Sequence, residues 1–523
     1  MLARVSATEM GAAIAANLET LRKPGVLSVR PGYKVVDGWP TRKPAIVVTV
    51  ARKTPSPPDD ERLPETLAGF AVDVREASPL KRLQESEPAA YERLRHTLRP
   101  EQQLAEFKEE QPLARARDAT TERELVTAKP RLPYLPPSGA DLSPVEDHFK
   151  ITCHASPDAG WPTLSTFLAG TRERLVVALY DFTSAHILSS VEAALEGRRM
   201  DLVLDHPARN PTADQSDDET QAALERALGP KLGFAWALDG RDPHAAAAIF
   251  ESAYHIKVAV RDGRLFWLSS GNWNNSNQPD IDPVAHPDDA KAAMHADRDW
   301  HVVVEHVGVS KTFEAFIEND LEVASAHQAT EEALMATELD AAAWIRSLPP
   351  KSFAQFFAPK AFEDRMKIQP LLTPDPGVYS GAVIELIRAT TKSLYIQQQY
   401  AHPSASSDDR AFAELLQAVA ERQRAGVDVR IIFSQWETTS YLEQLQAVGF
   451  DLAQIRIQQG VHNKGIVSDG ERVLVSSQNW SAPGVLRNRD AGLIIEHPGI
   501  ADYFEAIFMH DWTNLALQKA LDD

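Results

Sequence analysis

The chain contains a single cysteine, Cys153, among its 523 residues, so an intramolecular disulfide is excluded. One thiol suits a reducing compartment, although it is also compatible with export. The sequence has no apolar run approaching the roughly 18 residues of a membrane span. Near the N-terminus, Glu9 and Glu19 interrupt the stretch where a signal peptide is apolar. We therefore expect a cytoplasmic protein without an integral membrane segment.

Positive charge is also scarce, with 54 Lys and Arg against 74 Asp and Glu and a net charge of −20. Nucleic-acid affinity rests largely on Lys and Arg neutralising phosphates, which argues against the whole chain binding a polyanion. The charge is segregated, because residues 1–100 carry 16 Lys and Arg against 12 Asp and Glu. This first region is either an ordinary solvated surface or a docking module for a regulatory partner or an anionic surface.

The composition, 43% hydrophobic and 24% charged, is that of a globular protein with two to four domains. Residues 1–77 predict a small α/β domain: a helix with a Ser6/Glu9 capping box, a hairpin around Asp37-Gly38, and a further strand near residue 70. Residues 78–144, rich in Glu, Arg, Gln and Pro, predict an exposed helix followed by a semi-rigid linker.

From Val145 onward the chain follows a pattern that it later repeats. Residues 145–320 and 371–523 each alternate apolar runs of strand length with helical segments. This alternation predicts two α/β halves, each with a mostly parallel sheet covered on both faces. Residues 321–370 lie between the halves and are predicted to be a helical connector.

The clearest part of the repeat is a 19-residue stretch. His255–Trp273 reads HIKVAVRDGRLFWLSSGNW, and His462–Trp480 reads HNKGIVSDGERVLVSSQNW. Both contain His-x-Lys, four residues, Asp-Gly and Ser-Ser-x-Asn-Trp at identical spacing. A lone His-x-Lys-x4-Asp would arise by chance in roughly one chain of this length in fifteen. Two copies at the same spacing are not a chance event.

The repeat continues beyond this stretch, because RDWHVVVEH (298–306) aligns with RDAGLIIEH (489–497) and places Asp299 opposite Asp490. The segment between the motif's final Trp and this Arg-Asp pair is 16 residues longer in the first copy. This insertion is rich in Asn, Asp and Pro, and it is predicted to form a loop over the site.

Strand geometry brings the polar residues of each copy together. Side chains two apart on a strand share a face, so the His and Lys of each motif converge. The returning strands bring hydroxyl and amide groups back to the same end: Ser270 and Asn272 in the first copy, Ser477 and Asn479 in the second. Asp262 and Asp469 stand in Asp-Gly turn dipeptides, and each either shapes the turn or contacts substrate.

Two such sets predict a phosphodiesterase that uses covalent catalysis. One neutral histidine would attack phosphorus, and the other, protonated, would donate to the leaving oxygen. Charge on the phosphoryl oxygens would be stabilised by Lys257, Lys464, Asn272, Asn479 and the two serines. Each histidine needs a partner that fixes its tautomer, and Asp299 and Asp490 are the candidates, with Asp490 assigned to His462. No metal and no other cofactor is expected, since the lysines supply positive charge and no cluster has metal-ligand spacing.

The duplicated His-x-Lys-x4-Asp with downstream Ser-x-Asn resembles the phospholipase D superfamily over about residues 148–515. That superfamily includes phospholipases D, cardiolipin and phosphatidylserine synthases, and several nucleases. The resemblance implies that His255 is the nucleophile and His462 the general acid. It also implies that the two halves pack as a pseudo-twofold pair with the site at their junction. One departure is the Ser-Ser of this chain, where family members commonly have Gly-Ser.

We therefore predict an α/β protein in which two similar phospholipase D-type halves follow a small α/β N-terminal domain. The favoured function is phospholipase D-type hydrolysis or transphosphatidylation of phospholipids. The alternative is a nuclease of the same superfamily that cleaves DNA or RNA, possibly an effector regulated through the N-terminal domain. A non-catalytic scaffold is disfavoured, because both motifs are intact.

Overall fold

A computed structural model of the protein describes residues 13–76 and 134–518, apart from interior gaps. The gaps are 15, 22, 24–25, 37–38, 51–52, 55–57, 59–61, 206–212, 238–248, 251–252, 327–352, 376–377, 405, 436 and 438. The chain divides into two compact units, Met1–Thr127 and Ala128–Asp523.

The first unit contains a small sheet with order β1-β2-β4-β3. Its elements are α1 (Leu18–Leu21), β1 (Val26–Val36), β2 (Trp39–Val50), β3 (Thr66–Leu67) and β4 (Phe70–Glu76). Strands β1 and β2 form the predicted antiparallel hairpin, and β4 adds parallel to β2. The predicted Ser6/Glu9 capping box and the Asp37-Gly38 turn lie outside the described residues.

The second unit begins with the first repeat half. In chain order its elements are β5 (Val145–Ser156), α2 (Gly160–Ala169), β6 (Arg174–Leu179), α3 (Ala185–Ala194), β7 (Arg199–Leu204), α4 (Asp217–Leu228), β8 (Leu232–Trp236), β9 (Lys257–Arg261), β10 (Leu265–Ser269), α5 (Ala290–Ala293), β11 (Asp299–Glu305) and α6 (Val307–Ser325).

The second half follows the same plan. Its elements are β12 (Lys360–Thr373), α7 (Val378–Arg388), β13 (Ser393–Gln398), β14 (Ala401–His402), α8 (Arg410–Arg424), β15 (Asp428–Ser434), α9 (Thr439–Val448), β16 (Ile455–Gln458), β17 (Lys464–Ser468), β18 (Arg472–Ser476), β19 (Trp480–Ser481), α10 (Ala482–Leu486), β20 (Asp490–Glu496), α11 (Pro498–Asn514) and β21 (Leu517–Gln518).

Both halves contribute to one large sheet. Its order is β21-β16-β15-β13-β17-β18-β20-β12-β5-β11-β10-β9-β6-β7-β8. The two central strands, β5 and β12, are antiparallel, and their register runs from Cys153 opposite Lys360 to Val145 opposite Ile368. Outward from this pair, corresponding strands of the two halves occur in the same order. The pseudo-twofold relation between the halves stays a prediction.

The expectation of a mostly parallel sheet in each half is wrong. Parallel pairing is confined to the outer strands β6-β7-β8 and β13-β15-β16. The inner strands are antiparallel, because each Asp-Gly turn folds its strand back as a hairpin and a long return strand then pairs beside it.

The predicted helical connector over 321–370 is helical at its start, where α6 continues, but its described end is a strand. Helix α6 ends at Ser325, and strand β12 begins at Lys360. The outer half of β12 is exposed and charged, as at Glu363 and Arg365, so its sequence resembles a solvated helix more than a strand. The predicted linker differs as well, because Tyr134, Ala140 and Leu142 at its end pack against the main hydrophobic core. Among the described residues, no helix is both long and apolar enough to cross a membrane.

Candidate active site

Each repeated motif forms a tight hairpin with its histidine just before the first strand. His255 precedes β9 by two residues, and His462 precedes β17 by two residues. The turns place Asp262 and Asp469 at φ of 54° and 56°, and the following glycines also have positive φ. Two consecutive positive φ values are typical of the tight hairpin turns that favour Asp-Gly. The repeated Asp-Gly therefore sets the hairpin geometry.

Asp262 and Asp469 lie at the opposite end of their hairpins from the histidines, which favours the turn-shaping alternative; their catalytic role stays a prediction. Each is seven residues beyond its histidine, which corresponds to about 20 Å along an extended strand. The Asp262 carboxylate instead accepts hydrogen bonds from the backbone N–H groups of Glu173 (2.8 Å) and Arg174 (3.0 Å). Asp469 accepts the corresponding bonds in the second half, including one from Lys392 at 2.7 Å. Both aspartates tie the hairpin turn to the loop before the neighbouring strand.

The histidines are paired with aspartates of the opposite half. His255 Nδ1 lies 2.8 Å from Asp490 Oδ1, and His462 Nδ1 lies 3.0 Å from Asp299 Oδ1. The sequence-based assignment of Asp490 to His462 is therefore wrong. The pairing crosses between halves because the segment entering β11 runs beside the segment entering the second motif, where Arg298 bridges to Val461. With Nδ1 engaged, each histidine retains Nε2 for chemistry.

Ser270 and Ser477 contact these aspartates, and their phosphate-binding role stays a prediction. Ser270 Oγ donates to Asp299 Oδ1 at 2.7 Å and accepts the N–H of Trp300 at 3.1 Å. Ser477 Oγ donates to Asp490 Oδ1 at 2.6 Å in the same way. Each hydroxyl is thus committed to fixing the carboxylate that orients a histidine.

The two lysines are fully buried beside the histidines. Lys257 Nζ donates to the carbonyl of His255, and Lys464 Nζ donates to the carbonyl of His462. Lys464 Nζ also lies 3.1 Å from His462 Nε2 and 3.5 Å from the Ser270 carbonyl of the first half. Each ammonium group therefore lies beside the histidine of its own motif, and that of Lys464 also reaches the other half.

Asn272 and Asn479 occupy matching buried positions, and within the described part of the chain their Oδ1 atoms accept no hydrogen bond. In the first half the backbone N–H of Asn272 donates to Asn277 Oδ1 at 2.9 Å. Asn277 belongs to the insertion, so the first residues of the insertion support this strand end. The predicted role of the insertion as a loop over the site stays a prediction.

Electrostatics distinguish the two histidines. Burial, together with Lys257 and Lys464, holds the pKa of His255 well below its usual value. Burial and Lys464 also lower the pKa of His462, but there Asp299 opposes the shift. Because Lys464 and His462 both act on His255, the two motifs share one electrostatic centre.

The pKa values of the two partner aspartates are shifted in opposite directions. Burial raises the pKa of Asp490 to about 7, against the opposing charge of Lys257. Burial also disfavours ionised Asp299, but His462 and Lys464 outweigh it and hold the pKa of Asp299 below its usual value. The His462–Asp299 pair is therefore the more strongly ionic of the two pairs.

Burial also lowers the pKa values of the two lysines. Burial lowers the pKa of Lys464 to about 8, with Asp299 and Asp490 opposing the shift, and it lowers the pKa of Lys257 well below its usual value. Across the described part of the chain, no group of three or more His, Cys, Asp or Glu side chains is arranged to hold a metal ion.

Two buried arginines lie next to this site without belonging to either repeated motif. Arg298 and Arg489 immediately precede Asp299 and Asp490, and both are fully buried. Their signal is present in the sequence as the repeated Arg-Asp pair, but a charged pair at the start of a strand is more often exposed.

Comparisons with known proteins agree with these observations. Residues 383–512 match a family described as "Cardiolipin synthase, PLD-like domain". The chain is 28% identical over 153 residues to a phospholipase D of Rickettsia felis, which covers 29% of this chain and 70% of that protein. It is 27% identical over 143 residues to a phospholipase D of Rickettsia bellii, covering 27% and 66%. A crystal structure of phosphatidylserine synthase from Haemophilus influenzae is similar with a TM-score of 0.46 and 12% identity, over 70% of this chain and 87% of that one.

Proposed function

Because the chain belongs to the phospholipase D superfamily and is a phosphodiesterase of that type, we propose that it hydrolyses or transphosphatidylates phospholipids through a phosphohistidine. The observation that carries this proposal is the pair of crossed contacts, His255 with Asp490 and His462 with Asp299. They hold two imidazoles at one electrostatic centre, each with Nδ1 rather than Nε2 bound to the carboxylate. The matching relatives named phospholipase D support the choice of a lipid substrate.

In the first step, Nε2 of His255 attacks phosphorus and forms a P–N bond. The P–O bond to the head-group alcohol breaks, and its electron pair leaves with the oxygen, which takes a proton from His462. In the second step, water or an acceptor alcohol gives its proton to His462 and attacks phosphorus. The electron pair of the P–N bond returns to His255. Water gives phosphatidic acid, whereas an alcohol gives a new phosphatidyl ester.

The electrostatics support this division of roles. A nucleophile must be neutral, and His255 is the histidine whose pKa is lowered furthest. An acid must carry a proton, and Asp299 favours the charged form of His462. Binding of a phosphodiester anion would offset the nearby lysine charges and so oppose the lowering of the pKa of His462.

Lys257, Lys464, Asn272 and Asn479 are proposed to stabilise charge on the phosphoryl oxygens. The lysines bring positive charge to a buried centre, where a positioned donor contributes about 3 kcal/mol to transition-state stabilisation. With two ammonium groups in place the reaction is proposed to need no metal. The buried amides of the asparagines supply neutral donors beside them.

The test is an assay with purified protein in excess EDTA. Vesicles of phosphatidylcholine or cardiolipin are one set of substrates, and single- and double-stranded DNA are the other. We expect release of head group, and formation of phosphatidylethanol when ethanol is added, with none from His255→Asn. Cleavage of DNA without lipid turnover would replace the lipid proposal by the nuclease alternative. Activity that disappears with EDTA and returns with a divalent cation would refute metal independence.

The remaining sequence-based expectations stay predictions. They are the cytoplasmic location and the docking of a regulatory partner on the N-terminal region.

A further inference from the structure

Two buried arginines connect the halves through reciprocal ion pairs. Arg298 of the first half donates through Nε and Nη2 to Asp511 of the second half, at 2.8 and 3.0 Å. Arg489 of the second half donates through the same two atoms to Asp320 of the first half, both at 2.9 Å. All four residues are fully buried. Each aspartate lies 22 residues after the arginine of its own half, yet it binds the arginine of the other half.

Each arginine also contacts residues of its own half through Nη1. Arg298 Nη1 donates to Asp158 and to the Ser156 carbonyl, the latter at 2.9 Å. Arg489 Nη1 donates to Asp375 Oδ2 at 2.8 Å. Every arginine therefore joins an aspartate of its own half to one of the opposite half, so the position of its main chain depends on both halves.

Aromatic rings cover the two guanidinium groups. Phe353 lies over Arg298, with 5.3 Å from the ring centroid to Cζ, and Tyr134 lies over Arg489 at 5.2 Å. Tyr134 precedes the first strand of the first half, and Phe353 precedes the first strand of the second half. Tyr134 also donates through its hydroxyl to Asp375 at 3.3 Å. These rings keep the guanidinium groups out of water. Cation–π contacts and ion pairs are stronger in such a desolvated environment.

The main chain of each arginine contacts the motif of the opposite half. The N–H of Arg298 donates to the Gly460 carbonyl at 2.7 Å, and the N–H of His462 donates to the Arg298 carbonyl at 3.1 Å. In the other direction, the N–H of Arg489 donates to the Ala253 carbonyl at 2.9 Å. The residue after each arginine is the aspartate that holds the histidine of that motif.

Buried ion pairs of this kind add little net stability compared with well-packed apolar residues, because desolvation offsets the Coulomb attraction. Two such networks, repeated and placed one residue before the histidine partners, therefore call for a reason other than stability. The proximity to Asp299 and Asp490 supplies one.

We propose that Arg298 and Arg489 are positioning residues, each of which sets the catalytic partner of one histidine from across the junction. The Arg489–Asp320 pair holds Asp490 against His255 and thereby serves attack on phosphorus. The Arg298–Asp511 pair holds Asp299 against His462 and thereby serves proton transfer to the leaving oxygen. This assignment rests on the histidine roles of the proposed function.

The division of labour can be tested with two substrates that differ only in the leaving group. Phosphatidylcholine has an alkoxide leaving group that needs a proton, whereas phosphatidyl-p-nitrophenol has a stable phenolate that does not. Both form the same phosphatidyl-histidine. The variants are Asp511→Asn and Asp320→Asn, with Asp201→Asn as control. Asp201 is a fully buried aspartate bound by Arg174 at 2.7 Å and Arg199 at 2.9 Å, within the first half only.

For Asp511→Asn we expect turnover of phosphatidylcholine to fall by about 10²-fold, the size of effect that misplacement of a catalytic group produces. A stoichiometric burst of p-nitrophenol should remain, followed by slow turnover, because activation of water also needs His462. For Asp320→Asn the first-turnover release of the leaving group should slow with both substrates. Asp201→Asn should leave the ratio of the two activities unchanged.

Removing a buried charge can also unfold the protein. Arg298→Lys and Arg489→Lys keep the charge but lose the two-pronged contact, and they should reproduce the same split with smaller effects. Equal losses in the rate of first-turnover release of the leaving group on both substrates in both variants, or no loss in either, would overturn the inference. If the unaltered protein turns over neither lipid substrate, the proposed function fails separately. The ¹⁵N spectra of the histidines then decide this inference, which requires Asp511→Asn to change the tautomer of His462 and not that of His255.

Discussion

Replacing Asp469 by asparagine tests whether this residue shapes the hairpin turn or belongs to the active site. The Asp469 carboxylate accepts hydrogen bonds from the N–H groups of Lys392 at 2.7 Å and Ser393 at 3.0 Å through Oδ1. Its Oδ2 accepts one from the N–H of Thr391 at 3.0 Å. These three donors fix the loop before β13 to the hairpin that begins with His462.

The expected cost follows from these contacts. Asparagine turns one oxygen into an amide that faces the N–H of Thr391, so that bond is lost, and the other two lose the assistance of charge. A hydrogen bond to a charged group contributes about 1.5–3 kcal/mol, roughly twice a neutral one. The variant should therefore lose about 3–6 kcal/mol of stability. For a unit of this size the thermal midpoint should fall by roughly 4–7 °C.

The assay is thermal unfolding together with kcat measured well below both midpoints. Asp469→Asn should lose stability and keep kcat within about two-fold, whereas His462→Asn, in the same hairpin, should keep stability and lose activity. A loss of about 10²-fold in kcat without loss of stability would return Asp469 to the active site and refute the turn assignment.

The pH dependence gives a second measurement on the same variant. Burial opposes ionisation of Asp469, but the three backbone N–H groups outweigh it, so its folded pKa lies below the usual value. An aspartate with a lowered folded pKa contributes stability above its unfolded pKa of about 3.9 and loses it as pH falls through the folded pKa. The difference between the original protein and Asp469→Asn should be full at neutral pH and should vanish in strong acid.

Three further predictions concern the centre itself. His255→Asn and His462→Asn should each abolish turnover of phospholipid, and with phosphatidyl-p-nitrophenol, whose leaving group needs no proton, a phosphatidyl-enzyme should be trapped by denaturant at mildly alkaline pH in His462→Asn only; its appearance in His255→Asn would reverse the roles. Ser477→Ala should lower kcat about ten-fold with KM unchanged, because the hydroxyl holds Asp490 rather than substrate; a raised KM alone would indicate phosphate binding. With the pKa of Lys464 lowered to about 8, its charge is lost as pH rises above that value, so KM should rise in alkali. Lys464→Arg should remove this rise, and persistence of the rise would assign it to another group.

Local features of the hairpins could be predicted from sequence because they depend on neighbouring residues. The Asp-Gly pair requires two positive φ values, which few other dipeptides adopt, and the alternation of a strand brings His and Lys to one face. The strands β6 and β13 were predicted for the same reason, as apolar runs of buried strands. The outer half of β12 was missed, because its exposed charged residues conceal a strand whose pairing with β5 is seen only in the fold.

The roles of Ser270 and Asp299 show where such reasoning ends. The sequence predicts a serine hydroxyl near the site. It cannot show whether that hydroxyl is free or donates to a carboxylate, because the neighbouring residues are the same in both cases. Only the register of β10 against β11 brings Ser270 within 2.7 Å of Asp299.

Residues alone were enough to establish that this chain carries two equivalent hairpins with His, Lys and Asn at one end, because strand and turn geometry are local and the repeat is visible in the letters. Which carboxylate serves which histidine was decided by the tertiary structure. The two halves offer chemically identical partners, Asp299 and Asp490, at matching positions, so no local pattern distinguishes pairing within a half from pairing between halves. The choice was made by the antiparallel packing of the halves, which places the start of β11 beside the second motif and sends each arginine to an aspartate of the other half.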